Sequence, residues 1–237
     1  MNKFYTSTRD SSVQISAKDA IRKGFSDDKG LFVYPSLNEI NVDLKKVLSK
    51  NYIEIAETIL QKLLPDFSAD EIKESVTAAY ADSFDTSKIT PLVNVDNFHI
   101  LELFHGPTSA FKDVGLQLLP QLMKHVLKTD NQVMILTATS GDTGKAALEG
   151  FKDVPKMGIT VFYPDGGVSP MQQRQMTTTT GDNTKVAAIK GNFDDAQTNV
   201  KKLFNDEKLK KELGEHVSLS SANSINIGRL IPQVVYY

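Results

Sequence analysis

Ser140-Gly141-Asp142-Thr143-Gly144 joins a strand-like run to a helix-like one within TATSGDTGKAA (137–147). Gly141 and Gly144 allow a tight turn and close backbone approach. Ser140, Asp142 and Thr143 add short polar groups. The helix start behind them offers unpaired N–H groups at the positive end of its dipole, which suits a carboxylate or a phosphate. The spacing is neither GxxxxGK[ST] nor GxGxxG, so a nucleotide loop is not indicated. Taken alone, the segment reads equally well as a turn in which Asp142 or Thr143 caps the helix.

Two further segments carry reactive types. LELFHGPTSAFKDVG (101–115) runs from a strand through a Gly-Pro turn into a helix that has Lys112 in its first turn. A positive charge there opposes the helix dipole, and burial behind Phe104 and Phe111 is expected to favour the neutral amine as well. A neutral lysine is a nucleophile able to form a Schiff base. The competing reading is a solvated lysine paired with Asp113. SSANSINIGR (220–229) offers Asn223, Ser224, Asn226 and Arg229. These either cap a final helix or form a second polar wall, with Arg229 clamping a phosphate or carboxylate. Gln173 and Arg174 are placed on a solvated helix face. His99, His105, His125 and His216 show no metal-ligand spacing, and HExxH and GxSxG are absent.

The elements that must position these residues follow from periodicity. SAKDAIRKG reads as a helix between Ser16 and Gly24, and GLFVYP as a short strand. NYIEIAETILQKLLP and SADEIKESVTAAY are amphipathic helices, the second opened by a Ser68/Glu71 capping box. DSFDTSKITP is a linker. PLVNV and FHILELF are strand-like, and SAFKDVGLQLLPQLMKHVLK is a helix that Pro120 should kink. Strands QVMILTATS, GITVFY, TKVAAIKG and VSLSS then alternate with helices KAALEGF, SPMQQRQM, DDAQTNVKKLF and SINIGRLIPQVVYY. Such alternation predicts a parallel sheet flanked by helices, with ligands at the carboxyl ends of the strands. The last helix puts Leu230, Ile231, Val234 and Val235 on one side and has no cap. The chain is therefore expected to stop inside a helix, as a portion of something longer.

The 237 residues carry 27 basic and 29 acidic side chains, so the balance of −2 gives no electrostatic case for nucleic acid. No cysteine is present, which removes disulfides and thiolate metal sites. The polar N-terminus has no secretory h-region, and no apolar run approaches a membrane span. A soluble cytoplasmic protein is expected, with its oligomeric state open.

Together, FHGPTSAFKDVG, TATSGDTGKAA and ANSINIGRLIPQVVYY resemble the threonine synthase family, in order and across essentially the whole chain. GLFVYP and GNFDDAQTNVKKLF are similar to that family too. The resemblance implies an α/β fold of the pyridoxal-phosphate (PLP) fold type II kind, with parallel sheets flanked by helices. It implies a mostly helical region over 1–90, the start of the cofactor domain over 91–130, and a βαβα substrate-loop domain over 131–237. Lys112 would be the catalytic residue, forming the aldimine with the cofactor PLP, and Asp142 would approach the cofactor's ring hydroxyl. Ser140, Gly141, Thr143 and Gly144 would hold the substrate at the loop, while Asn223 and Arg229 would bind its phosphate. The implied substrate is O-phosphohomoserine, converted with water to L-threonine and phosphate.

Ser109, Lys145 and Ile227-Gly228 depart mildly from the family pattern. The loop that grips the cofactor phosphate and the group facing the pyridine nitrogen are expected further along than residue 237, so this chain alone is expected to be inactive. The alternatives are another fold type II lyase, such as a dehydratase or a β-replacing synthase, and a non-catalytic phospholigand-binding protein of the same fold.

Overall fold

After residue 131 the chain alternates apolar runs too short for helices with amphipathic ones, and these settle as parallel strands joined by helical crossovers. The computed structural model describes residues 4–127 and 131–237. The first three residues of the polar N-terminus, Lys128 at the end of one expected helix, and the boundary at residue 130 lie outside the described residues.

The N-terminal region carries β1 (Thr6–Ser7), α1 (Ala17–Lys23), β2 (Phe32–Val33), a 3-10 turn (Leu37–Glu39), α2 (Leu44–Val47), α3 (Tyr52–Leu63) and α4 (Ala69–Tyr80). Next come β3 (Leu92–Val95), β4 (Phe98–Leu101), α5 (Lys112–Lys124), β5 (Gln132–Ala138), α6 (Asp142–Phe151) and β6 (Met157–Pro164). The chain continues with α7 (Pro170–Thr177), β7 (Thr184–Ile189), α8 (Phe193–Phe204), α9 (Glu207–Leu213), β8 (Val217–Ser220), α10 (Ile227–Leu230) and a 3-10 stretch (Ile231–Tyr236).

Local chemistry sets the helix starts. Asn51 with Glu54, Ser68 with Glu71, Ser169 with Gln172 and Asn192 with Asp195 each form a reciprocal capping box, at α3, α4, α7 and α8. Each satisfies two backbone donors that would otherwise be orphaned. Ser16 and Gly24 bound α1 as its sequence predicts, with Gly24 at φ 84°.

The main sheet has the order β7-β6-β5-β8 and is parallel throughout. Val133 of β5 pairs with Met157 on one side and Ser218 on the other. Helices cover both faces. A continuous apolar core runs from Ile21, Leu60, Ile72 and Tyr80 through Leu116, Leu119 and Phe151 to Ile159 and Val161. The N-terminal helices, α5, α6 and one face of the sheet thus share one interior. On the opposite face Leu136 and Ala138 meet Ala196, Val200 and Phe204 of α8.

The packing of α5 on α6 has a local cause. Pro120 sits inside α5 and has no N–H, so the Leu116 carbonyl four residues earlier lacks its helical donor. Gly150 of α6 lies against that carbonyl, and a Cβ there would run into the Leu116 oxygen. The helices meet where one has a free acceptor and the other has no side chain.

Two sequence expectations change. The strand read as FHILELF ends at Leu101 and pairs antiparallel with β3 as a separate hairpin, with Leu92, Val95, Phe98 and Ile100 exposed. It does not feed the parallel sheet, because the chain turns at Asp96 (φ 52°) and folds back at once. The final run is not one helix. A single α turn gives way to 3-10 geometry at Ile231. Pro232 cannot donate to the carbonyl four residues back, and Val234, read as part of the apolar side, is exposed.

Candidate active site

The carboxyl ends of β5 and β8 release two loops, 139–141 and 221–226, on the same edge of the sheet. Asn223 joins them, its Nδ2 donating to the Ala138 carbonyl at 3.0 Å. Asn226 has a structural role within the second loop. Its Oδ1 accepts from Gly228 N at the start of α10, and its Nδ2 donates to the carbonyls of Ile21 and Ser221, both at 3.0 Å. Of the residues in SSANSINIGR, Asn226 is therefore the cap, while Asn223 faces the β5 loop.

The Ser-Gly-Asp-Thr-Gly turn is built on a residue that precedes it. Thr139 Oγ1 accepts from the N–H groups of Gly141 and Gly144, both at 2.9 Å, and donates to the Gly141 carbonyl at 3.1 Å. Gly141 is the residue before α6, at φ 145°, a backbone region open to glycine. A side chain there would also strike Gln172, which lies over it. Neither Asp142 nor Thr143 caps the helix. Among the described residues the N–H groups of Ser140, Asp142 and Thr143 have no protein acceptor. The turn keeps free donors at a helix start of ten residues, the arrangement that suits an anion.

Lys112 is the first residue of α5, and its amine reaches across to this turn. Nζ lies 3.6 Å from Asp142 Oδ2, 4.2 Å from the Phe111 ring centroid, and makes no hydrogen bond among the described residues. Asp142 is itself steered by Gln172, whose Nε2 donates to Oδ1 at 2.9 Å. The expected apolar cover is partial: Phe104 and Phe111 are themselves 53% and 40% exposed, and the Phe111 ring lies against the amine. The Lys112 side chain is 20% exposed, with Asp142 of the turn on it as well.

Asp113 does not pair with Lys112. Consecutive helical residues point to different faces, and Asp113 turns inward, fully buried. Its carboxylate accepts from Thr108 N at 2.8 Å, Thr108 Oγ1 at 2.5 Å and Ala110 N at 3.4 Å. This clamp folds the 106–111 loop onto the helix start that carries Lys112. Gly106 makes room for it, since a Cβ there would lie 2.5 Å from Asp113 Cβ. Burial pushes the Asp113 carboxyl above its ordinary value, with the three hydrogen bonds acting against that shift. His105 braces the other end of the loop. Its Nε2 meets Glu102 at 2.7 Å and its Nδ1 meets Asp85 at 2.6 Å, and these bonds, Glu102 foremost, raise its pKa.

Arg229 is buried, at 4% exposure. Its Cζ is 5.9 Å from the Phe111 centroid, so Phe111 has Lys112 and Arg229 both within cation–π reach. Nη1 donates to Gln233 Oε1 at 3.3 Å, while Nε is buried without a partner among the described residues. Desolvation lowers the Arg229 pKa, and Tyr236, Tyr80 and Asp113 oppose the shift. Gly115 permits the approach, since a Cβ there would stand 2.6 Å from Nη1 and from the Arg229 carbonyl.

The structure thus brings Lys112, Asp142 and the free N–H groups of the turn together, sets Asn223 at the adjoining loop, and puts Arg229 beneath Phe111. Gln173 donates to the Tyr163 hydroxyl instead of reaching the turn, a role that its neighbour Gln172 takes. The residues fit the aldehyde and ring-hydroxyl side of an aldehyde-bearing cofactor. Among the described residues the site offers one primary amine with no hydrogen bond of its own, a carboxylate beside it, and open backbone donors in the turn that carries that carboxylate.

The chain is similar to known proteins over its whole length. A family model described as "Threonine synthase N terminus" matches residues 4–80. Threonine synthase of Escherichia coli (strain K12) is 39% identical over 232 residues, covering 97% of this chain and 51% of that relative. Threonine synthase-like 1 of Homo sapiens is 39% identical over 243 residues, covering 94% of this chain and 32% of that protein. A crystal structure of PLP-bound threonine synthase from Brucella melitensis superposes with a TM-score of 0.86 at 40% identity, covering all of this chain and 51% of that one. The chain therefore spans between a third and about half the length of these relatives.

Proposed function

Since the chain belongs to the threonine synthase family, as its N-terminal portion, we propose that it carries the reactive lysine of an enzyme converting O-phosphohomoserine and water to L-threonine and phosphate. The observation behind this reading is the amine of Lys112, shielded, free of hydrogen bonds and 3.6 Å from Asp142 at a turn with free N–H donors. PLP, when bound, supplies an electron sink that lets protons leave carbon atoms of the substrate. Lys112 would hold the cofactor's aldehyde carbon, and Asp142 would face its ring hydroxyl.

The Lys112 amine, when not holding the cofactor, would accept the proton from the substrate's Cα and return protons along its side chain. Ser140, Thr143 and the N–H groups of the Gly141 and Gly144 turn would bind the substrate carboxylate. Of those donors, the ones at Ser140, Asp142 and Thr143 are open, whereas Thr139 occupies those of Gly141 and Gly144. Asn223 and Arg229 would serve the phosphate end. Arg229 acts there chiefly through its buried charge, which favours an anion leaving from Cγ before water adds at Cβ. Holding both ends of the substrate is where orientation contributes most to rate.

The test is phosphate release from O-phosphohomoserine by the full-length enzyme with PLP, alongside its Lys112→Ala variant. Phosphate and threonine should appear together, and the variant should lose at least a thousandfold in rate. Formation of 2-oxobutyrate from threonine with no phosphate release would contradict the substrate assignment.

A further inference from the structure

A second concave site lies away from Lys112. It is a cleft of about 790 Å³ between the N-terminal segment and α8. Its floor is apolar, formed by Phe25, Leu31 and Ile225. Phe25 is held edge-to-face on Phe204 at 5.1 Å, so the floor belongs to the packed face of α8. Its polar lining is basic: the N-terminal segment supplies Arg9 and Lys29, and α8 supplies Lys201 and Lys202.

The charge is concentrated here. The whole chain has a balance of −2, yet four cations border this cleft and no carboxylate lines it. Among the described residues none of the four is in an ion pair. Lys202 donates only to Asn199 Oδ1, at 3.3 Å. Asp28, the carboxylate whose field Arg9 feels, is turned to Ser7 and to the Gly30 N–H. Lys29 is held at φ 66°, a conformation unusual for a side chain of its size. Lysines on an ordinary solvated helix face have no such floor between them, and a volume of this order is that of a small-molecule site.

We propose that this cleft binds a small amphipathic anion, with a planar apolar body on Phe25, Leu31 and Ile225 and a phosphate or carboxylate head among the four basic side chains. Such a ligand removes apolar surface from water while its charge is met by those cations. The cleft adjoins the candidate active site through one loop: Ile225 lines it, and Asn223, two residues earlier, holds the end of β5.

The probe is 1-naphthyl phosphate, titrated calorimetrically into the protein, with 1-naphthol and inorganic phosphate as the separate halves of its chemistry. Saturable binding at one site is expected, at least tenfold tighter than for either half. The Lys201→Ala/Lys202→Ala double variant should weaken binding at least tenfold and retain its far-ultraviolet circular dichroism. Lys112→Ala should leave binding unchanged, which separates this cleft from the candidate active site. Absence of saturable binding, equal binding by the double variant, or loss of binding in Lys112→Ala would each overturn the proposal. The result is independent of whether O-phosphohomoserine is the substrate.

Discussion

Replacing Gly106 by alanine should destabilise the protein by about 3 kcal/mol, and the reason is local. Gly106 has no positive φ, so alanine meets no backbone penalty there. The cost comes from contact. The new methyl would lie 2.5 Å from Asp113 Cβ and 2.6 Å from Asp113 Oδ2, against about 3.5–4.0 Å for carbons at rest. Asp113 cannot step aside cheaply, because it is fully buried and clamped by Thr108. Relieving about 1 Å of overlap by strain costs about 1–3 kcal/mol. Withdrawing the loop instead forfeits hydrogen bonds to a buried carboxylate, worth about 1.5–3 kcal/mol each. For a chain of this size a loss of about 3 kcal/mol corresponds to about 6–12 °C in Tm. Urea denaturation followed by circular dichroism measures it, with Gly166→Ala as the comparison. Gly166 has φ 69°, and a methyl added there would meet no atom within 4 Å, so it should cost only the about 1–2 kcal/mol of left-handed backbone. If Gly106→Ala is no more destabilising than Gly166→Ala, the clamp at Asp113 is not rigid and the account of how Lys112 is held fails.

Other consequences can be checked alongside. The Asp113 carboxyl is raised by burial, so between the ordinary carboxylate value of about pH 4 and its folded value the native state binds more protons than the unfolded one, and stability falls as pH rises. Asp113→Asn should flatten that fall in urea midpoints measured from pH 4 to 7, and parallel curves would contradict it. Thr139→Ala removes the acceptor of Gly141 and Gly144 N–H. It should cost about 2–3 kcal/mol in denaturation and, in the full-length enzyme, raise the KM for O-phosphohomoserine, whereas an unchanged KM would sever the turn from substrate binding. Asn226→Ala orphans the Ile21 and Ser221 carbonyls and the Gly228 N–H in α10, with an expected loss of about 2–4 kcal/mol. A midpoint unchanged within error would show that the 221–226 loop is held by other contacts.

Much of this architecture is legible in the residues because its causes are local. Ser16 and Gly24 bound a helix in the sequence as in the structure, Ser68 and Glu71 form the expected box, and the alternation after residue 131 becomes a parallel sheet. The features that escape are those set by long-range contact. Thr139 looks like one more residue of the strand QVMILTATS, and its role appears only when the turn closes over it. Asp113 looks like a partner for its neighbour Lys112, although adjacency on a helix keeps them apart and the carboxylate's real partner is Thr108. The final run has a helical pattern, but Pro232 carries the signal that its geometry changes. Arg229 reads as a surface clamp from its position after Asn226, while the packing of Gly115 draws it beneath Phe111.

The most direct test of the central claim is chemical. The protein is incubated with one equivalent of PLP, reduced with borohydride, digested, and its peptides mapped by mass. The account predicts a pyridoxyl group on Lys112 in preference to exposed lysines such as Lys201 and Lys202, with the label on that peptide lost in Lys112→Ala. A Lys112 peptide that stays unmodified while the exposed lysines carry the label would contradict it.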